Sequence, residues 1–258
     1  MTSSAAHQAG IALSLIGIGC GDPTQLTLAA IRAINAADLI LIPRKGDEKS
    51  ELADLRRTIC ADVLTNHKTR VVEFDLPLRD SGKENYRKGV DEWHDAVAAT
   101  WSREIEEHLG HEGRVALLIW GDPSLYDSSL RIARRLDPMP DIEVVPGVTS
   151  IQALCAAHAL PVNDIGEAFL VTTGRRLRDD GWPAGVNTVV VMLDGGAAFQ
   201  SLDPKGLNIW WGAYLGMPHQ ILLSGALAEV GPRIAAARSE AREKHGWIMD
   251  SYILKRIY

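Results

Sequence analysis

Three glycine-containing turns in this sequence could place backbone groups and a carboxylate against a small ligand. Gly17-Ile-Gly-Cys-Gly-Asp-Pro23 follows one apolar run, Gly121-Asp-Pro123 follows a second, and Pro146-Gly-Val-Thr-Ser150 follows a third. Glycine allows a ligand to approach the main chain closely, and an adjacent aspartate supplies hydrogen-bond acceptors. Because a carboxylate would repel a phosphate, the turns favour binding of a ligand that carries no phosphate.

The common phosphate-binding patterns do not fit the first turn. Its third glycine, Gly21, comes one residue too early for the dinucleotide pattern G-x-G-x-x-G, and Asp22 stands in the glycine's place. The sequence also has no Gly-Lys-Ser/Thr of the Walker type. A nicotinamide-dependent oxidoreductase is therefore disfavoured, although it remains an alternative from a different functional class.

The aspartates of the two Gly-Asp-Pro turns have two possible roles. Asp22 is a candidate general base at the end of the first predicted strand. Asp22 and Asp122 could instead cap the helices that follow, since aspartate is a good N-cap and proline suits the first helical position. For Asp22 the capping role is the more favoured prediction.

The elements that position these turns can be predicted from the apolar pattern. Through the first 158 residues, short apolar runs alternate with helical periodicity, of which residues 84–109 are the clearest example, and this alternation indicates βαβ units. The carboxyl ends of parallel strands share one edge of a sheet, so the three turns should converge there. The predicted strands are 12–18, 38–42, 70–74, 115–120 and 142–145.

The second part of the chain has a different pattern of predicted strands and helices. Strand-like runs crowd together, and they leave one long helix at 226–244 and a short one near 197–202. We therefore predict an α/β protein of two αβα domains, 11–161 with a mostly parallel five-stranded sheet and 162–258 with a mixed sheet. The predicted strands of the second domain are 169–173, 188–193, 208–215, 219–224 and 247–255.

Composition excludes several broad classes. The 258 residues are 46% hydrophobic with a formal charge of −6, which argues against a general nucleic-acid binder. Three scattered cysteines indicate reduced thiols, and Cys155 with His158 has no second ligand pair nearby, so no metal is expected. The first ten residues do not resemble a signal peptide, and no apolar run is long enough for a membrane span, so a soluble cytoplasmic protein is expected.

The ordered set of turns resembles the tetrapyrrole methylases, S-adenosylmethionine enzymes of vitamin B12 and sirohaem synthesis. The similarity runs from about Leu13 to Tyr258. Longer segments resemble the family members that methylate C-1 of precorrin-5 and release its acetyl group as acetate. These segments are Ile42-Pro-Arg-Lys-Gly46, Glu51-Leu-Ala-Asp-Leu-Arg-Arg57, Thr172-Thr-Gly-Arg-Arg-Leu177, Trp211-Gly-Ala-Tyr-Leu-Gly-Met-Pro218 and Gly246-Trp-Ile-Met-Asp-Ser-Tyr252.

The resemblance implies a cofactor site for S-adenosylmethionine in a cleft that the second domain completes. Most members of the family carry proline where this chain has Cys20. The implied cofactor-binding residues of the first part of the chain are Cys20, Trp120, Gly121, Asp122, Leu125, Tyr126, Thr149 and Ser150. Those of the second part are Leu193, Gly212 and Ala213. Family members are usually homodimers, which implies the same assembly here.

The tetrapyrrole substrate implied by the resemblance carries many carboxylates, which paired cations could bind. Arg44 and Lys45 follow the second predicted strand, and Arg175 and Arg176 follow Thr172-Thr-Gly174. Each pair could equally be solvated surface charge. Arg56 and Arg57 lie in a helical pattern and are predicted to be on the surface.

Other functions remain open at this point. Another tetrapyrrole C-methyltransferase, acting on a different precorrin or on uroporphyrinogen III, would carry the same turns. A tetrapyrrole carrier without catalytic activity would bind the pigment and show no turnover.

Overall fold

The computed structural model describes residues 10–44, 50–78 and 86–257. The chain divides into two compact units. One comprises Met1–Gly19 with Pro23–Val148, and the other comprises Cys20–Asp22 with Thr149–Tyr258. The described residues contain no helix that is both long and apolar enough to cross a membrane.

The first unit is built on a five-stranded sheet in which every paired strand is parallel. The strand order is β3-β2-β4-β1-β5, which confirms the predicted parallel sheet. The central strands are almost continuously buried, as expected for parallel strands covered on both faces. The strands are β1 (Ile11–Gly17), β2 (Leu39–Arg44), β3 (Arg70–Asp75), β4 (Gly113–Ile119) and β5 (Asp141–Val145).

Helices cover both faces of this sheet and bury a separate apolar cluster on each. One cluster packs Leu13, Leu15 and their neighbours against α3 and α4, and the other packs Ile16 and Ile18 against α1 and α2. The apolar stripe predicted over 84–109 corresponds to α3, with residues 84 and 85 outside the described part of the chain. The helices are α1 (Leu28–Ala36), α2 (Ser50–Val63), α3 (Tyr86–His108) and α4 (Ser129–Ala133).

Helix α3 buries a histidine without a hydrogen-bond partner. The His94 side chain is 3% exposed, and neither ring nitrogen has a partner among the described residues. Burial lowers the pKa of His94, and Arg135 and Arg131 lower it further, against the opposite effect of Asp91 and Asp95. The folded protein therefore holds this imidazole in its neutral form.

We expect His94→Leu to make stability less dependent on pH. The unfolded chain protonates His94 near a pKa of about 6.5, before the folded chain does, so the wild type loses stability as the pH falls below that value. Urea unfolding at about pH 7.5 and about pH 5.5 should show a larger loss for the wild type than for the variant. Equal losses would show that His94 does not contribute to the pH dependence.

The second unit contains a five-stranded mixed sheet, as predicted. Its order is β6-β7-β10-β8-β9, with β6 and β7 parallel and the other pairs antiparallel. The strands are β6 (Phe169–Thr173), β7 (Thr188–Met192), β8 (Leu207–Ala213), β9 (Ile221–Ala226) and β10 (Asp250–Arg256). The helices are α5 (Ser150–Ala157), α6 (Gly174–Asp180) and α7 (Leu227–His245), with a 3-10 turn at Ala198–Ser201.

The division between the units falls at Val148, whereas the sequence pattern placed a boundary near Pro161. Helix α5 accounts for the difference because it packs on the second sheet. His158 Nε2 lies 3.0 Å from the carbonyl oxygen of Trp211, and Ser251 donates a hydrogen bond to Ser150 at 3.2 Å. An apolar helix after the last parallel strand looks in sequence like one more βα unit.

Candidate functional site

Three glycines bring the carboxyl ends of β1, β4 and β5 into contact. A β-carbon on Gly17 would lie 2.5 Å from the amide nitrogen of Gly147 and 2.8 Å from the carbonyl oxygen of Gly121. A β-carbon on Gly147 would lie 2.7 Å from the carbonyl carbon of Gly17. Such distances leave no room for a side chain at Gly17 or Gly147, so the main chains of Gly17, Gly121 and Gly147 are in direct contact, and we call these three residues the glycine cluster.

Two main-chain hydrogen bonds join Gly19, two residues before the first Gly-Asp-Pro, to Gly121, the first residue of the second. The Gly121 amide donates to the carbonyl of Gly19 at 2.8 Å, and the Gly19 amide donates to the carbonyl of Gly121 at 3.2 Å. Both glycines have positive φ, 75° for Gly19 and 67° for Gly121, which side-chain-bearing residues disfavour. Gly19 and Gly121 therefore form a short antiparallel bridge between the turns that follow β1 and β4.

Asp122 ties two of these turns together. One carboxylate oxygen accepts from the amide of Ser124 at 2.8 Å and from its hydroxyl, and the other accepts from the amide of Gly147 at 2.9 Å. Burial alone would raise the pKa of Asp122, but these hydrogen bonds outweigh it and hold the pKa below its usual value. The side chain stays ionised and fixes the turn after β4 to the turn after β5.

Asp22 and Asp122 are not the N-caps of α-helices α1 and α4, contrary to the prediction. Helix α1 begins at Leu28, and its N-cap is Thr27, whose hydroxyl accepts from the amide of Ala30 at 3.0 Å. Helix α4 begins at Ser129, with Ser128 as its N-cap. The prediction failed for these α-helices because other residues separate each aspartate from its α-helix, including a 3-10 turn at Pro23–Gln25 that directly follows Asp22.

The loop after β4 carries the other cofactor residues predicted for this turn. Trp120 and Leu125 are half-buried, and the Leu125 amide donates to the carbonyl of Asp122 at 3.2 Å. Tyr126 is 44% exposed and has a φ of 50°, the left-handed region that a tyrosine disfavours. The predicted residues 120–126 thus lie in one loop beside the glycine cluster.

A buried arginine supports the same loop, although we predicted it on the surface. Arg56 is 8% exposed and donates from Nε to the carbonyl oxygen of Leu118 at 2.8 Å. Nη1 of Arg56 also donates to the carbonyl oxygen of Leu52, at 2.8 Å. Strand β2 pairs with β4 only as far as Leu117, so Arg56 binds β4 where that pairing ends.

Burial lowers the pKa of Arg56 to about 10, against the opposing charge of Asp127. Arg56 therefore remains charged at neutral pH. Its burial could have been inferred from helical spacing, since Ala53, Arg56 and Cys60 lie on one buried face of α2.

The segment Cys20–Asp22 groups with the second unit. A β-carbon on Gly21 would lie 2.6 Å from Cγ of Met217, and one on Gly216 would lie 2.9 Å from the amide nitrogen of Asp22. The Asp22 side chain is half-buried, and Cys20 is 3% exposed. Burial raises the pKa of the Cys20 thiol to about 12, so this thiol is neither a nucleophile nor an anion at neutral pH.

The remaining predicted cofactor residues occupy different environments in the second unit. Thr149 is the N-cap of α5, its hydroxyl accepting from the amide of Ile151 at 3.2 Å. Gly212 and Ala213 are buried at the end of β8. Leu193 follows β7 with a φ of 52° and is 64% exposed, an unusual combination for a large apolar residue.

Of the four cations that we predicted to bind substrate, the three that the structure describes differ in their surroundings. Arg44 ends β2 and pairs with Asp75 at 3.0 Å, and Lys45 lies outside the described residues. Arg175 and Arg176 are exposed residues in the first turn of α6, a helix that we did not predict, and Arg176 pairs with Asp180 at 3.3 Å.

One group of potential metal ligands occurs in the described part of the chain. Glu104, Glu107 and His108 have ligand atoms within 4.8 Å of one another near the end of α3. Glu104 already pairs with Arg103 at 3.0 Å. None of the three belongs to the glycine cluster.

Comparison with known proteins adds to this geometry. The profile of the Tetrapyrrole (Corrin/Porphyrin) Methylases matches residues 12–231. Precorrin-6A synthase [deacetylating] of Sinorhizobium sp is 46% identical over 246 residues, which cover 94% of each chain.

Two solved structures of related proteins are similar to this chain in fold. A cobalamin-synthesis-related protein of Corynebacterium diphtheriae is 38% identical with a TM-score of 0.83, over 97% of this chain and 100% of that one. Uroporphyrin-III C-methyltransferase of Thermus thermophilus, complexed with S-adenosylhomocysteine, has a TM-score of 0.57 over 94% of this chain and 96% of that one. At 23% identity this second likeness concerns the fold alone.

The fold and the full-length similarity place the chain in the tetrapyrrole methylase family, to which it belongs. The resemblance seen in the ordered turns is thereby confirmed, as is the prediction of a methyltransferase. Within the family, the chain is a homologue of precorrin-6A synthase [deacetylating]. The family assignment favours a methyltransferase over a nicotinamide-dependent oxidoreductase.

Proposed function

We propose that this protein methylates C-1 of precorrin-5 with S-adenosylmethionine and releases the acetyl group as acetate, giving precorrin-6A. The observation that carries the proposal is the 46% identity to precorrin-6A synthase over 94% of both chains. We propose the glycine cluster and the adjacent buried Asp122 as part of the site for this reaction.

The residues present fit S-adenosylmethionine as the methyl donor. The molecule carries an adenine, a carboxylate, an ammonium and a sulfonium but no phosphate, and the glycine cluster with the adjacent Asp122 offers main-chain groups and one carboxylate. A β-carbon on Gly121 would meet no atom within 4 Å, so space beside this main chain is open. Bound there, the cofactor supplies the methyl group as an electrophile.

Alignment is the main task of the chain's own residues in methyl transfer. Holding the acceptor carbon and the methyl group in line supplies most of the rate advantage, and no dedicated base is required for that step. In our proposal Trp120, Gly121, Asp122 and Leu125 hold the methionine part, followed by Thr149 and Ser150. Leu193, Gly212 and Ala213 frame the adenosine; Cys20 and Tyr126 complete the proposed set.

Deacetylation needs more help from the protein than methyl transfer does. Water must add to the ketone carbon and the bond from that carbon to the ring must break, which benefits from a general base. We propose Asp22 for this role, since its half-buried carboxylate lies in the turn that follows β1.

The assay that tests the function uses precorrin-5 and methyl-labelled S-adenosylmethionine. We expect one label to enter the tetrapyrrole for each acetate released. Label incorporation without acetate would support a different tetrapyrrole C-methyltransferase instead. Tight binding of precorrin-5 with no turnover would support a carrier.

Asp122→Ala should weaken binding of S-adenosylhomocysteine, measured by calorimetry, by about tenfold or more, because three hydrogen bonds that shape the loop are lost. Asp122→Asn keeps an acceptor oxygen and should fall between the wild type and the alanine variant. Ser124→Ala removes only the hydroxyl contact and should have the smallest effect. Unchanged affinity in a folded Asp122→Ala protein would count against this loop as the cofactor site.

We propose Arg175 as a residue that binds substrate carboxylates, because it is exposed in the first turn of α6, directly after Thr172-Thr-Gly174. Arg175→Ala should raise KM for precorrin-5 about tenfold and leave the affinity for S-adenosylhomocysteine unchanged. Arg178→Ala, on the same helix and paired with Asp179, is the matched control. A KM equal to that of the control would remove Arg175 from the proposed site.

The resemblance leads us to propose a homodimer, and the sequence composition leads us to propose a cytoplasmic protein that works without a metal. Sedimentation velocity of the purified protein tests the dimer, and activity after chelation tests the metal. A monomer with full activity would contradict the first part, and activity lost on chelation and restored by metal would contradict the second.

A further inference from the structure

The segment after β7 is held in a conformation that its residues disfavour. Leu193 and Ala197 have φ values of 52° and 56°, in the left-handed region where a β-carbon clashes with the neighbouring carbonyl. Leu193 nevertheless presents a large apolar side chain that is 64% exposed. Such strain persists only where the surrounding structure imposes it.

Asp194 imposes this conformation from inside the protein. The residue is 6% exposed, and both carboxylate oxygens are hydrogen-bonded. Oδ1 accepts from the amide of Gly196 at 3.0 Å, and Oδ2 accepts from the amide of Ala198 at 2.6 Å and from the hydroxyl of Tyr252 at 2.7 Å. The Asp194 carboxylate thus bonds to two main-chain amides of the segment 194–198, and it links this segment to Tyr252 of β10.

Helix α6 packs directly on the same carboxylate. A β-carbon on Gly174 would lie 2.5 Å from Cβ of Asp194, so this position has space only for hydrogen. Gly174 is the first residue of α6, immediately before Arg175.

Arg238 extends the network to β8. Its guanidinium donates to the carbonyl oxygen of Asp194, and Nε donates to Asp250 at 2.7 Å. Trp211, the residue immediately before Gly212, also donates a hydrogen bond from Nε1 to Asp250, at 2.7 Å. A buried polar network therefore connects the segment that begins at Leu193 with the strand that carries Gly212 and Ala213. This network comprises Asp194, Tyr252, Arg238, Asp250 and Trp211.

We infer that Asp194 is a positioning residue for cofactor binding, which fixes the main chain at Leu193 for contact with the adenosine part of S-adenosylmethionine. This inference rests on the proposed function. Asp194 does not itself touch the cofactor, because its carboxylate is occupied by the amides of Gly196 and Ala198 and by Tyr252. Its role is to order the free protein before binding, so that binding does not have to order this segment.

The test compares Asp194→Asn with the wild type in two measurements. In the ligand-free protein, the amides of Gly196 and Ala198 should exchange with deuterium faster, because a neutral amide side chain is a weaker acceptor. The dissociation constant for S-adenosylhomocysteine should rise about tenfold. Tyr252→Phe removes one hydrogen bond to the carboxylate and should raise the dissociation constant by a smaller factor.

Val190→Ala is the stability control, since Val190 is fully buried in β7 and has no part in the network. We expect this variant to unfold at a lower temperature with unchanged affinity for S-adenosylhomocysteine. Faster exchange in Asp194→Asn with unchanged affinity would overturn the inference and leave Asp194 a purely structural residue. If Asp194→Asn does not fold, unchanged affinity in Tyr252→Phe overturns it. If the wild-type protein does not bind S-adenosylhomocysteine, this result contradicts the proposed function itself, and so distinguishes its failure from a failure of the inference about Asp194.

Discussion

Gly147→Ala will unfold or severely destabilise the protein, although alanine is compatible with the backbone at this position. Gly147 does not have a positive φ, so the penalty is purely one of space. The added carbon would meet the carbonyl oxygen of Gly121 and the main chain of Gly17, which cannot turn aside as a flexible side chain would. We expect a loss of about 3 kcal/mol or more, at the upper end for overpacking of a core.

Gly121→Ala is the matched control for this steric argument. Its β-carbon would meet no atom within 4 Å, and its φ of 67° makes left-handed strain the only penalty. That strain costs roughly 1 kcal/mol. Urea unfolding of both variants checks the difference, and equal losses would contradict the close contact of Gly17, Gly121 and Gly147. Gly121→Ala should also weaken binding of S-adenosylhomocysteine, because the new methyl group enters the space proposed for the cofactor.

Arg238→Met will cost about 3–5 kcal/mol, because it leaves a buried carboxylate without its partner. Asp250 is 7% exposed and accepts hydrogen bonds from Arg238 and Trp211, and Asp194 loses a donor to its carbonyl oxygen as well. Calorimetric or urea unfolding measures the loss. Arg176→Met provides the contrast, since its exposed pair with Asp180 is worth only about 0.3–0.5 kcal/mol.

A second substitution separates the lost ion pair from lost packing at Arg238. Asn at position 250 keeps an oxygen for the Trp211 side chain and removes the buried charge. Arg238→Met combined with Asp250→Asn should therefore recover roughly half of the stability lost in Arg238→Met. A double variant whose loss equals the sum of the two single losses would show that Arg238 acts through packing alone.

The first sheet was predictable because its strands are short, apolar and buried on both faces. Even their order of appearance between helices agrees with a parallel sheet. Helix α6 was missed because it is seven residues long and largely charged, with Leu177 its only buried large apolar side chain. Helical periodicity cannot be detected over two turns with one apolar residue.

The turns of the candidate site could be predicted from the sequence, but the hydrogen bonds that join them could not. Glycine spacing indicated that β1, β4 and β5 end near one another, and the resemblance named the loop 120–126. The bridge between Gly19 and Gly121 joins residues about one hundred positions apart, and no local pattern encodes such a pair. Asp194 and Arg238 were overlooked for a similar reason, since a buried charge is recognisable only once its partners are placed.

The bridge between Gly19 and Gly121 has a consequence for engineering. Both of its hydrogen bonds run from main chain to main chain, so they are independent of the side chains beside them. Cys20 and Trp120 can therefore be exchanged in a combinatorial library without breaking the connection between the two loops. Such a library would vary two side chains of the proposed cofactor site while the main-chain bridge stays the same, and Gly19 and Gly121 are the two positions to leave untouched.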